Sequence, residues 1–346
     1  MPELRQLFSN PRQSSRIHVN RRLTENSAPL SIWHQSIFPG ETIMGALAFI
    51  LPGLLLGWGI FELVDDENNN DDDINGTDQA DDLDGKNGDD VIKGGAGDDN
   101  IEGGSGDDVL RGDEGDDVIL GQQGRDDIGG GDGDDAIVAG RGDDTVRGGA
   151  GDDWVEGDQG DDSLEGSAGD DLLLGGKGAD TLSGGADDDV LVGGKVAGLP
   201  LSFEQMKMLR DGATVEDFED EIPPSTFQLR DDGAVDVLNG DDGDDLLVLG
   251  AGDDGTGGTG LDSFMILQNQ VGDAGPAVVQ DFEDDEAIGV LTNSATDPEI
   301  TVQDDGDDAL VLADDVVVAR VIGAAGRIDA GDVFIYNTSA INALAA

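Results

Sequence analysis

Along the middle of the chain one aliphatic residue returns at every ninth position: Leu83, Ile92, Ile101, Leu110, Ile119, Ile128, Ile137, Val146, Val155, Leu164, Leu173, Leu182 and Leu191. This period is neither the helical repeat nor the simple alternation of a half-buried strand. Written from its clearest copy, Gly94 to Glu102, the unit reads Gly-Gly-x-Gly-x-Asp-x-aliphatic-x, and Gly76 to Val192 divides into 13 such copies without a gap. Three glycines and an Asp predict about six residues of turn and about three of strand, since glycine permits positive φ and close approach of backbone. One copy cannot bury its single apolar side chain. Copies must therefore stack, and two per coil would set strands on two facing sheets around a thin ladder of Val, Ile and Leu.

Position six is Asp in every copy: Asp81, Asp90, Asp99, Asp108, Asp117, Asp126, Asp135, Asp144, Asp153, Asp162, Asp171, Asp180 and Asp189. Position four is glycine in eleven, with Gln79 and Asp187 as the exceptions in the first and last copies. The apolar ladder alone is weak support. Ordering one residue costs about 1 to 2 kcal/mol of backbone entropy, and one buried aliphatic side chain in each copy returns only about 1.5 to 3 kcal/mol. Stacked Asp rows also repel one another. A hard cation with oxygen ligands answers both problems: position-six carboxylates and turn carbonyls suit Ca²⁺, with no thiolate or imidazole in the block to favour Zn²⁺.

The phrase and its spacing resemble the repeats-in-toxin (RTX) family of bacterial type I secretion substrates, closely over the repeat block and more loosely towards the C-terminus. The resemblance implies a calcium-binding β-roll in which each ion lies between a turn and the turn one coil later, so that Asp99 would share an ion with the loop carrying Asp117. It further implies the type I secretion apparatus as a partner. The expected architecture is all-β: a parallel β-roll with a C-terminal β-sandwich-like cap and an N-terminal apolar helix.

A second repeat block begins at Gly240, with Asp245, Asp254 and Asp262 in the position-six role and one copy a residue short. From Met265 strand-like runs take over, at Ala277, Ala287, Glu299, Ala309 and Asp332, with turns at Asp304 to Asp308 and Arg327 to Asp332. This pattern resembles the calcium-capped end of secreted RTX proteases, including the element Gln280-Asp281-Phe282 after the last repeat. By the same resemblance the final INALAA lies in an uncleaved export signal.

The segments expected are a solvated basic leader at 1–41, an apolar segment at 42–61, an acidic linker at 62–75, the main roll at 76–194 and an insert at 195–239. The second block follows at 240–264, then the C-terminal β region at 265–346. The twenty uncharged residues Thr42 to Phe61 are long enough to cross a bilayer. As a membrane segment, with basic residues before it and acidic ones after it, the run would orient the N-terminus to the cytoplasm; a secretory signal peptide and a buried apolar segment are the competing readings. Met44 opens this run directly, so translation starting there is a competing reading of the N-terminus. In the insert, Phe203, Met206 and Leu209 share one face of a short helix expected over Leu201 to Arg210.

Outward positions seven and nine separate the two sheets. One face carries Val118, Leu120, Ala136, Val138, Trp154, Leu172, Leu174, Val190 and Val192; the other is mostly charged or hydroxylated. An apolar face of that extent predicts a cover, from the insert or from a partner.

A net charge of -60 over 346 residues excludes nucleic acid as a partner. The absence of cysteine fits a protein whose cross-links are metal ions. No H-E-x-x-H, G-x-S-x-G or cysteine nucleophile occurs, and adjacent Asp pairs in a turn are ligands or solvated face, so no enzyme is expected. The expected function is a calcium-binding, secreted or surface-tethered bacterial protein that folds on binding calcium and serves as a structural or adhesive module. The alternative is a secreted hydrolase using the insert or the C-terminal region.

Overall fold

The computed structural model describes residues 71–197, 228–268, 274–292 and 296–337. The leader, the apolar run at 42–61, the helix expected at 201–210 and INALAA lie outside the described residues. Among the described residues no helix is long and apolar enough to cross a membrane.

Strands follow one another at nine-residue intervals: β1 (Asp73–Asn75), β2 (Asp82–Asn87), β3 (Val91–Ala96), β4 (Asn100–Ser105), and so on to β12 (Leu172–Lys177), β13 (Thr181–Ala186) and β14 (Val190–Val192). Alternate strands pair in parallel, β1 with β3 and β2 with β4, so two copies make one coil and two sheets face each other. Position-eight side chains point inward from both sheets: Ile92, Ile101, Ile119, Leu173 and Leu191 are fully buried in one continuous core.

Most strands are six residues long, not three, because the first residues of the next copy stay in the ladder. Gly95 pairs with Asp113 in the same register that pairs Ile92 with Leu110. The turn proper is correspondingly short.

The roll begins earlier than expected. β1 falls inside the segment read as a linker, and its Ile74 joins the core. After β14 the chain leaves the roll through β15 (Lys195–Ala197), which pairs antiparallel with β16 (Gln228–Arg230). It re-enters at β17 (Val237–Asp242), which pairs in parallel with β13 as though nothing had intervened. The second block therefore starts before Gly240, inside the segment read as insert.

The stem of the insert lies on the apolar sheet. Leu229 packs against a second cluster formed by Val118, Ala136, Val138, Leu174, Val192 and Val248, with Trp154 and Leu172 half-buried beside them. On the other sheet the outward side chains are wet, with ion pairs such as Arg147 to Glu165 at 2.7 Å in solvent. Pairs so exposed contribute little.

The C-terminal strands are built onto the same two sheets. β18 (Leu246–Leu249), β20 (Ser263–Leu267), β22 (Ala287–Thr292) and β26 (Val333–Asn337) continue one of them in parallel. β19 (Asp254–Thr259) and β21 (Ala277–Val279) continue the other. β21 then pairs with β25 (Val316–Val321), which closes an antiparallel meander with β24 (Asp308–Ala313) and β23 (Ile300–Asp305). All five strand-like runs of the C-terminal region are strands.

Candidate metal centre

The position-six carboxylates form two rows along the roll. In each row the backbone N–H of one Asp donates to Oδ1 of the Asp one coil later: Asp81 to Asp99, Asp90 to Asp108, Asp135 to Asp153 and Asp171 to Asp189, all at 2.8 to 2.9 Å. The rows survive the insert. Asp180 donates to Asp236 and Asp189 to Asp245, each at 2.9 Å. Asp245 in turn donates to Asp262 at 3.0 Å.

Asp81, Asp90, Asp99, Asp108, Asp117, Asp126, Asp135, Asp144, Asp153, Asp162, Asp171, Asp180, Asp189, Asp245 and Asp262 are all buried in these rows. Asp254 is not. Asp236 donates to Asp253 at 3.1 Å, and it is Asp253 that is buried. In full-length copies the second Asp of the pair takes the inner place. In the short copy the missing residue lies in the turn before the pair, so the first Asp takes it, while Asp254 lies half-buried and accepts from the side chain of Gln280.

The short copy also lacks its aliphatic residue, since Gly255 stands opposite Leu238. Leu249 from the preceding strand fills the gap, its Cδ1 lying 2.8 Å from where a Gly255 Cβ would stand. Asp236 escaped the sequence reading because the insert splits its copy: the leading Gly193 and Gly194 stand before the insert, and a Cβ on Gly193 would lie 2.4 Å from Asp236 Oδ2. The aliphatic Leu238 two residues on was the available signal.

Oδ1 along the rows is satisfied by these amides, but for most of the row Oδ2 is not; the exceptions at the ends include Asp81, whose Oδ2 accepts from Thr77, and Asp253, whose Oδ2 accepts from Gly250. Oδ2 of Asp108, Asp126, Asp135, Asp144, Asp153, Asp162, Asp171, Asp180, Asp189 and Asp245 is buried with no hydrogen-bond partner. A buried carboxylate oxygen without a donor costs several kcal/mol unless a cation meets it, on the order of ~3 to 5 for an uncompensated charge.

The three glycines of the phrase have different duties. Position one keeps space open: a Cβ on Gly103 would lie 2.5 Å from Asp108 Oδ2 and 3.1 Å from the Gly121 carbonyl, and one on Gly175 would lie 2.5 Å from Asp180 Oδ2 and 2.6 Å from the Gly193 carbonyl. Positions two and four need positive φ, +113° at Gly95 and +107° at Gly97. Six non-glycine residues bear the left-handed conformation at position two, among them Lys86, Gln122 and Ser167.

Position five, read from sequence as solvated, has a structural role of its own. Its N–H donates backwards, to the position-five carboxylate one coil earlier, as from Asp107 to Asp89 at 2.9 Å and Asp134 to Asp116 at 3.0 Å. At the end of the roll Asp281 accepts from the N–H groups of Gly257 and Gly258, at 2.9 and 3.0 Å, while Phe282 enters the core. The element Gln280-Asp281-Phe282 thus closes the last turn.

Burial pushes the row carboxyls well above their ordinary range, and neighbouring carboxylates add to it: Asp135 to about 9, Asp162 and Asp189 to about 8, Asp126, Asp153, Asp171 and Asp180 to about 7. On the apolar sheet Glu156 is also buried and raised to about 7, first by burial and then by Asp158, whose partner Lys195 stands 3.3 Å away.

The donor set fits a hard divalent cation. The glycine-led cradles of Asp108, Asp126, Asp135, Asp153, Asp162, Asp171 and Asp180 each bring a partnerless carboxylate oxygen together with a backbone carbonyl one coil away and leave room that a single methyl would fill. Oxygen-only donors of this kind suit calcium. Among the described residues no three carboxylate, histidine or cysteine side chains converge on one point, so carbonyls must supply much of the coordination.

The class defined by this geometry is a parallel β-solenoid prepared for cations between its coils. The model of the RTX calcium-binding nonapeptide repeat matches residues 68–196 in overlapping segments and again 229–255. The chain is an RTX-repeat protein over these residues, and its repeats bind calcium. No curated protein matches the chain significantly. Among solved structures, the crystal structure of the extracellular lipase LipA from Serratia marcescens is similar, with 15% identity over 65% of this chain and a TM-score of 0.21. The chain spans 45% of that lipase.

Proposed function

We propose that this RTX protein works outside the cell or at its surface as a structural or adhesive module whose folding is driven by calcium, and that it reaches that place through a type I secretion apparatus. The observation that carries the reading is the pair of buried carboxylate rows, in which Oδ2 of ten residues from Asp108 to Asp245 is buried without a partner. Bound calcium supplies the positive charge that these rows lack. The row Asp residues, from Asp81 to Asp189 with Asp236, Asp245, Asp253 and Asp262, present carboxylate oxygens, and the position-one residues present carbonyls, with the copy led by Ala139 a separate case. From Asp90 and Asp99 onward each Oδ1 meanwhile holds the amide of the coil before it, which fixes the carboxylate's orientation.

The charge balance supports an extracellular site of action. At -60 the metal-free chain repels itself. Sites with affinities of about 10⁻⁴ to 10⁻³ M, typical of extracellular calcium modules, stay empty in the cytosol and fill outside. Folding then follows occupancy by mass action. The test is far-UV circular dichroism of the full chain titrated with calcium, with magnesium as control. Sheet signal that rises only with calcium is expected; the same sheet content in excess chelator would remove the basis of the proposal.

A further inference from the structure

Gly121 and Gly157 open copies on either side, in the same row, of one that begins with Ala139. Ala139 is fully buried, and it heads the copy whose row carboxylate is Asp144. In the glycine-led copies the place of a Cβ lies within contact of the row carboxylate's Oδ2 and of a carbonyl one coil later, as at Gly121, where the carbonyl is that of Ala139 itself at 2.5 Å. At Ala139 that place holds a methyl group. Methyl carbon and carboxylate oxygen cannot approach so closely, and Oδ1 of Asp144 is held by the amide of Asp126 at 2.8 Å. Oδ2 of Asp144, buried and without a hydrogen-bond partner, thus faces a methyl where its row neighbours Asp126 and Asp162 face open space.

We propose that the cradle led by Ala139 takes no cation, so that one of the two rows is divided into a run up to Asp126 and a run from Asp162, while the row through Asp135, Asp153 and Asp171 is unbroken. The inference rests on the reading that calcium fills the remaining cradles. Its physical content is that a single methyl sets the stoichiometry of one row. The uncompensated Oδ2 of Asp144 is the cost of the empty cradle; the coils stay together because the amide ladder through Asp126 and Asp144 does not depend on the ion, and because the facing row holds them at the same height.

The experiment is equilibrium dialysis of the full chain with radioactive calcium, counting ions bound per chain in the wild type and in Ala139→Gly, with Gly121→Ala as the converse. Ala139→Gly is expected to bind one more ion than the wild type and Gly121→Ala one fewer. Equal numbers in the wild type and Ala139→Gly would overturn the inference while leaving calcium binding intact. A wild type that binds no calcium would instead remove the reading on which it rests. Since Ala139→Gly only restores the residue found in the flanking copies, its count is decisive even if Gly121→Ala does not fold.

Discussion

The backbone N–H of Asp180 donates to the carboxylate of Asp236 at 2.9 Å across 56 residues of sequence. The same bond joins Asp162 to Asp180, also at 2.9 Å, across 18. The coil thus closes identically whether or not a long excursion leaves it. Loop closure grows only slowly with length, by about 0.6 kcal/mol for each doubling, so the excursion is inexpensive.

Replacing residues 198–227 with a short Gly-Ser turn between β15 and β16 should therefore leave the calcium dependence of folding nearly unchanged. A calcium titration followed by circular dichroism should give midpoints within about twofold for the two chains. Loss of the transition would show that the excursion is part of the folding unit.

The pH dependence follows from the raised row carboxyls. In the metal-free fold Asp108 lies near 6 and Asp135 near 9, against an ordinary value of 3.8. Between these values the folded chain binds more protons than the unfolded one, so its stability falls as pH rises through that window and is greatest below it. In chelator, sheet signal should grow as the pH is lowered from 8 towards 5. In calcium the trend should reverse, because protons compete with the ion for the same oxygens, and the midpoint concentration should rise on acidification. A metal-free chain whose dichroism does not change between pH 8 and 5 would contradict this account.

Asp135→Asn keeps an acceptor for the amide of Asp117, which donates to Oδ1 at 2.8 Å, and removes one buried charge. Calcium binding in that part of the row should weaken by about tenfold, or ~1.4 kcal/mol. In chelator the variant should keep residual sheet to higher pH than the wild type. Isothermal titration calorimetry and a pH series of dichroism spectra check the two halves.

Leu249 stands in for the side chain that Gly255 lacks, so Leu249→Ala leaves a hole in the thinnest part of the core. Urea unfolding at saturating calcium should show a loss of about 2 to 5 kcal/mol. Adding Gly255→Leu to that variant should recover part of it. Recovery that fails, in a double variant that still folds, would mean that Leu249 fills a different space.

Most of this fold is legible in the sequence because its two strict positions, the aliphatic and the second Asp, are the two that point inward. The C-terminal strands were legible for the ordinary reason that β-branched runs alternate with turns. What escaped lies where the phrase decays. Ile74 belongs to a copy without leading glycines, Asp236 is parted from its glycines Gly193 and Gly194 by the insert, and Asp253 was masked by counting from an Asp pair whose turn had lost a residue. The amide ladder at position five left its mark in the recurrent first Asp of the pair, which accepts, while its donors have no signature, since Asp107 and Arg125 serve alike through their backbone.

The strand ladders and the amide-to-carboxylate bonds join each coil to its neighbours along the roll. Tension applied between the first and last coils would thus load every one of these links in series, and the weakest would part first. Extension should proceed as a staircase of separate small ruptures, and the copy beginning with Ala139 marks where the first step falls if its cradle is empty. A tether made this way yields gradually and re-forms in the ion-rich medium once the load is released.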